Sequence, residues 1–128
     1  MANVESRAYG GAEFETAFTR WLFDRGFWAL NIPRNKFGAQ PFDVIAIKGN
    51  VVWAIDCKTC SKKRLDMRRV EPNQYTAFEL MQERTKARCS FVCLHENMIY
   101  EISFDDVKDA YVTGRASIKL EHMIGELE

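Results

Sequence analysis

The chain has 128 residues, 47% of them apolar and 12% aromatic, enough for one domain with a core of its own and no need of disulfides. Its 18 Lys and Arg balance 18 Asp and Glu, which excludes a protein that coats nucleic acid indiscriminately. Met1 to Tyr9 lack the apolar run of a signal peptide and no later stretch is long enough to cross a bilayer, so a soluble cytoplasmic protein with no membrane partner is expected.

Residues 11–25 read as an amphipathic helix, with Phe14, Ala17, Phe18, Trp21 and Leu22 in one stripe and Gly26 as its C-cap. Phe27 to Ile32 reads as a strand, and Pro33 to Pro41 as a loop carrying Arg34, Lys36, Gly38 and Gln40. Strands are expected at 42–48 and 51–58, joined by Gly49-Asn50. Both faces of that hairpin are apolar: Ile45, Ile47, Val52 and Ala54 on one, Phe42, Val44, Trp53 and Ile55 on the other. A sheet buried on both faces needs helices on both. Residues 59–71 read as a polar, basic loop. Pro72 suits the first turn of a second helix reaching about Lys86, with Gln74 one turn before Phe78 on its apolar side. Cys89 to Leu94 and Met98 to Ile102 read as strands around a turn at Glu96-Asn97. Ser103 caps a short helix with Asp105 and Asp106 in its first turn. Residues 112–128 are weakly patterned.

A two-residue loop at Gly49-Asn50 sets the pairing so that Lys48 faces Val51, Ile45 faces Ala54, and Asp43 faces Asp56. Like charges directly opposite destabilise a sheet unless something positive lies between them. A divalent cation is the natural candidate, since Mg²⁺ often takes only one or two carboxylates. Lys58 shares the parity of Asp56 and points to the same face. Two carboxylates, a metal and an ammonium suit phosphodiester hydrolysis. The bland alternative, a salt bridge between Asp56 and Lys58 at a sheet end, leaves the Asp–Asp apposition unexplained. Glu15 sits at the edge of the first helix's apolar stripe, where it either leans toward Asp43 or remains a surface glutamate.

The charge is uneven. Residues 1–95 carry 15 Lys/Arg against 10 Asp/Glu, and residues 96–128 carry 3 against 8. Between 58 and 70 stand Lys58, Lys62, Lys63, Arg64, Arg68 and Arg69, opposed only by Asp66. With Arg34 and Lys36 they form a basic rim suited to a phosphate backbone. Cys57, Cys60, Cys89 and Cys93 are expected as core thiols rather than a zinc site, because Cys57 falls on the face opposite Asp56. His95 and His122 read as structural or surface residues, and no Gly-rich phosphate loop or HExxH helix is present.

On these residues the chain resembles the PD-(D/E)XK nuclease superfamily, and within it the small Holliday-junction-resolvase-type nucleases of archaea and phages. The resemblance spans about residues 10–107. Gly11-x-x-x-Glu15 is similar to the first-helix motif, Pro41-Phe42-Asp43 to the metal-binding aspartate with one residue inserted, and Asp56-Cys57-Lys58 to the (D/E)-x-K element. Gln74 matches a glutamine common at the start of the second core helix. The elements read above, α-β-β-β-α-β and then a C-terminal appendage at 108–128 in one nuclease domain over 1–128, agree with the α/β fold the resemblance implies, a restriction-endonuclease-like mixed sheet flanked by helices. It implies catalytic roles for Glu15, Asp43, Asp56, Lys58 and Gln74. Mg²⁺, with Mn²⁺ as a substitute, would be held by Asp43, Asp56, the Cys57 backbone carbonyl and Glu15. It implies a homodimer acting on branched DNA, as a Holliday junction resolvase. A repair- or restriction-type nuclease on duplex DNA, and an inactive nuclease-fold DNA-binding protein, are the competing readings.

Overall fold

The computed structural model describes residues 9–33 and 40–127. Helix α1 spans Gly11–Asp24 and ends as its sequence demands. Gly26 takes φ +88°, and the N–H groups of Gly26 and Phe27 return to the carbonyls of Phe23 and Leu22. That pairing satisfies two carbonyls the helix would otherwise leave open. The chain then runs antiparallel through β1 (Trp28–Asn31), β2 (Val44–Lys48) and β3 (Val51–Thr59). The β2–β3 register matches the expectation: Lys48 faces Val51, Ile45 faces Ala54 and Val44 faces Ile55. Gly49, at φ +58°, supplies the backbone that the two-residue turn needs.

Helix α2 (Pro72–Arg84) carries the chain across to β5 (Arg88–His95), which lies parallel to β3. β6 (Met98–Ser103) returns antiparallel, after a turn whose residues Glu96 and Asn97 both take positive φ. α3 (Phe104–Val112) starts at Ser103, whose hydroxyl accepts the Asp106 N–H. The main sheet has six strands in the order β1-β2-β3-β5-β6-β8, where β8 is Met123–Glu126. Its mixed pairing and flanking helices are the α/β architecture expected.

Two cores form, one on each face. On the first, α1 places Phe14, Phe18, Trp21 and Leu22 against Val44, Trp53, Ile55 and Cys57. On the second, Phe78 of α2 and Phe104 and Val107 of α3 meet Ala54, Phe91 and Cys93. The alternation along β5, with Phe91 on the second face and Val92 on the first, is the period-2 consequence of strand geometry. No helix among the described residues is long and apolar enough to cross a membrane.

Three expectations need correction. Phe42 belongs to the second core, stacked on Phe78 with centroids 5.7 Å apart, rather than to the face of Val44 and Ile55. The strand begins only at Val44, and the bend at Asp43 breaks the parity that would have put Phe42 with them. Residues 59–71 are not all loop: β4 (Arg64–Asp66) buries Leu65, and a single 3-10 turn follows at Met67–Arg69. The C-terminal segment is not an appendage. β7 (Ser117–Lys119) pairs with β4, β8 (Met123–Glu126) extends the main sheet beside β6, and Ile118, Leu120 and Leu127 are buried.

β8 closes against α1 at one tight point. A Cβ on Gly125 would stand 2.6 Å from Cζ2 of Trp21, a ring already stacked on Phe18 and unable to yield cheaply. Gly125→Ala is expected to destabilise the fold by about 1–3 kcal/mol through overpacking, read as a lower denaturation midpoint with an unchanged m-value.

Candidate active site

The site lies where the start of β2, the second half of β3 and the first turn of α2 converge. Asp43 stands in the bend before β2, where its N–H still donates to the Ile55 carbonyl at 2.9 Å. Its side chain is held from two sides: Oδ2 accepts the Cys57 N–H at 2.8 Å and Oδ1 accepts Gln40 Nε2 at 2.5 Å. Asp56, fully buried on β3, accepts Gln74 Nε2 on Oδ1 at 3.0 Å. Its Oδ2 forms an ion pair with Lys58 Nζ at 2.8 Å, but no aligned hydrogen bond reaches that oxygen.

Gln74 is the hub. Its Oε1 accepts Lys58 Nζ at 3.3 Å and the Glu71 N–H at 3.1 Å, while its Nε2 serves Asp56. Pro72 at the first helical position lets α2 begin abruptly here, so its N-terminal turn faces the strands directly.

Electrostatically the site is under-compensated. Burial raises the Asp56 pKa to about 7; Lys58 opposes that rise and Asp43 adds to it. A second carboxylate, Asp43, thus stands beside the buried Asp56, and Oδ2 of Asp56 lacks an aligned hydrogen bond among the described residues. Both features fit a divalent cation held by Asp43 and Asp56. Among the described residues no three His, Cys, Asp or Glu side chains gather as a metal cage. Mg²⁺, which keeps waters and accepts phosphate oxygens, needs no closed cage.

The expected residues separate into groups. Asp43, Asp56, Lys58 and Gln74 come together. Cys57 joins through its backbone N–H; its thiol faces α1, and burial, then the charges of Asp43, Asp56 and Glu15, push its pKa well up. Glu15 belongs to α1, which covers the opposite face of the sheet from Asp56 and Lys58, so its charge reaches the site from the far layer. Lys62, Lys63 and Arg64 are exposed along the segment leaving β3. Arg68 is spoken for by Asp66, which it clasps at 2.6 to 3.2 Å and whose pKa it lowers to about 2. Arg69 folds back to the Thr59 carbonyl at 2.6 Å. Arg34 and Lys36 lie outside the described residues. The sequence reading missed Gln40 as a site residue, and with it Asn73, whose Nδ2 donates to the Gln40 carbonyl at 2.9 Å. Neither belongs to a periodic pattern; adjacency to Asp43 and Gln74 was the only available signal.

Paired carboxylates and a lysine at the end of a mixed sheet, with a glutamine from the crossing helix, are the arrangement expected of a nuclease of the restriction-endonuclease-like class. Comparison with known proteins narrows this. The family model for archaeal Holliday junction resolvase (hjc) matches residues 6–128, and the chain belongs to that family. It is therefore a structure-specific DNA endonuclease. It is 28% identical over 120 residues to the crossover junction endodeoxyribonuclease Hje of Sulfolobus acidocaldarius, covering 91% of this chain and 85% of that protein. Its fold superposes on Hjc of Archaeoglobus fulgidus with a TM-score of 0.61 at 18% identity, over 74% of this chain and 78% of the other.

Proposed function

We propose that this protein is a Mg²⁺-dependent Holliday junction resolvase that works as a homodimer inside the cell, with Mn²⁺ able to substitute. The observation that carries the metal is the pair of buried carboxylates, Asp43 beside Asp56, with Oδ2 of Asp56 reached by no aligned hydrogen bond among the described residues. Asp43 and Asp56 would hold the ion, with the Cys57 backbone carbonyl beside them and Glu15 adding its negative charge from the α1 layer. When bound it would supply Lewis-acid stabilisation of the scissile phosphate and a more acidic attacking water.

The chain's own residues do the rest. Lys58 is only 11% exposed and held by Asp56 and Gln74, so its ammonium is fixed where negative charge grows on the phosphate. Gln74 keeps Lys58 and Asp56 in register without adding charge. Lys62, Lys63 and Arg64 meet the DNA backbone beyond the site, with Arg34 and Lys36 as further contacts and with Arg68 and Arg69 adding positive charge while held by Asp66 and the Thr59 carbonyl; binding through them weakens as salt rises.

The dimer reading is supported by a bare apolar face. Trp28 and Leu30 on the edge strand β1 are 54% and 46% exposed, and Ile47, directly opposite Trp28 on β2, is 37% exposed. An open apolar edge strand is a standing liability unless another chain covers it. A two-fold contact here gives two active sites for two strands. Trp28→Glu is expected to leave a folded monomer, seen as a halved mass in light scattering.

The substrate test is competition between a four-way junction and the matched linear duplex. Selective binding and paired nicking of the junction in Mg²⁺ is the expected result; equal cutting of the duplex would replace this reading with a general nuclease.

A further inference from the structure

Asp43 does not owe its orientation to the strand. It stands in the bend before β2, its N–H and carbonyl already paired with Ile55 and Ile32; side-chain partners fix its carboxylate. Two neutral donors set it, the Cys57 N–H on Oδ2 and Gln40 on Oδ1. Gln40 is in turn tied down by Asn73, through its backbone carbonyl. Asn73 and Gln74 are neighbours in the first turn of α2. Gln74 therefore reaches Asp56 directly, and Asn73, the residue before it, reaches Asp43 through Gln40.

We infer that Gln40 and Asn73 are positioning residues, through which the first turn of α2 sets the spacing of the two carboxylates that bind the metal. This rests on the divalent-metal reading of the site.

The chemistry of the donors supports it. Each carboxylate is gripped by a glutamine amide, which fixes an oxygen without cancelling its charge. A lysine or arginine at position 40 would hold Asp43 equally well but would compete with the cation. Gln40 also keeps its Oε1 buried without a partner among the described residues. An unsatisfied buried acceptor costs about 1–3 kcal/mol, so the amide is poorly explained as a device for stability alone.

The test uses the DNA-free protein first. Mn²⁺ binding is followed by electron paramagnetic resonance for wild type, Gln40→Met, Gln40→Lys and Asn73→Ala. Methionine keeps the length and loses the donor; lysine keeps a donor and adds charge. Losing such a support is expected to weaken Mn²⁺ binding by about 10-fold or more in Gln40→Met and Asn73→Ala, and further in Gln40→Lys. The Mg²⁺ concentration for half-maximal junction cleavage should rise in parallel, with the larger loss at limiting Mg²⁺. Thermal melts identify any variant that loses its fold, and the Met and Ala changes act on different elements, so one folded variant suffices. Wild-type Mn²⁺ affinity in folded Gln40→Met or Asn73→Ala overturns the inference. Failure of the wild-type protein itself to bind Mn²⁺ overturns instead the metal reading beneath it.

Discussion

Asp56→Asn is expected to remove cleavage almost completely, by about 10³-fold or more, while relieving the metal-free protein of a stability penalty at alkaline pH. The second half follows from the direction of the shift. Asp56 is raised from 3.8 to about 7, chiefly by burial. Between those values the folded chain keeps a proton that the unfolded chain has released. Stability contributed by this group is therefore complete below about pH 4, falls as pH rises, and is lost above about pH 7, by up to about 4 kcal/mol. Urea midpoints in EDTA at pH 5 and pH 8.5 measure this. The wild type should lose more on going alkaline than Asp56→Asn does, and Mg²⁺ should restore the wild type only. Equal pH dependence in both proteins would show that Asp56 ionises freely and that the site is not short of positive charge.

Lys58→Met is the second large effect. Removing a fixed donor from developing charge typically lowers the rate by about 10²–10³-fold, whereas junction affinity should hardly change, since the exposed basic residues beyond the site carry it. A further signature separates loss of Lys58 from simple damage. Lys58 is the principal group lowering the Asp56 pKa. Without it Asp56 holds its proton to higher pH, so the residual rate should rise over a more alkaline range. Single-turnover cleavage from pH 6 to 9 reads both effects. A Lys58→Met protein with the wild-type pH profile would separate Lys58 from Asp56 in function.

The site was legible largely because one turn fixes it. Gly49-Asn50 admits a two-residue loop, the loop fixes the β2–β3 register, and the register brings Asp43 toward Asp56. Helix ends were equally readable, because Gly26, Pro72 and Ser103 each do a job that few other residues do as well. Misreadings occurred where local pattern gives way to distant partners. Strand parity misplaces Phe42 because it lies two residues before β2 begins. β4 hides in a basic run whose only fully buried residue is Leu65, and its partner β7 is more than 50 residues away. β8 is a four-residue edge strand, recognisable only once β6 is there to receive it. Glu15 was correctly placed at the edge of the apolar stripe of α1, yet no helical wheel says which sheet face that helix will cover. Gln40 and Asn73 left no signature, since amides at a loop end and a helix start have many ordinary uses.

The most direct measurement strips the protein with EDTA, presents a labelled four-way junction, and then adds Mg²⁺, with Asp43→Ala in parallel. Symmetric nicks that appear only with Mg²⁺ and only in the wild type are the expected result. Nicking in EDTA, or by Asp43→Ala at the wild-type rate, would contradict a metal centre built on Asp43 and Asp56.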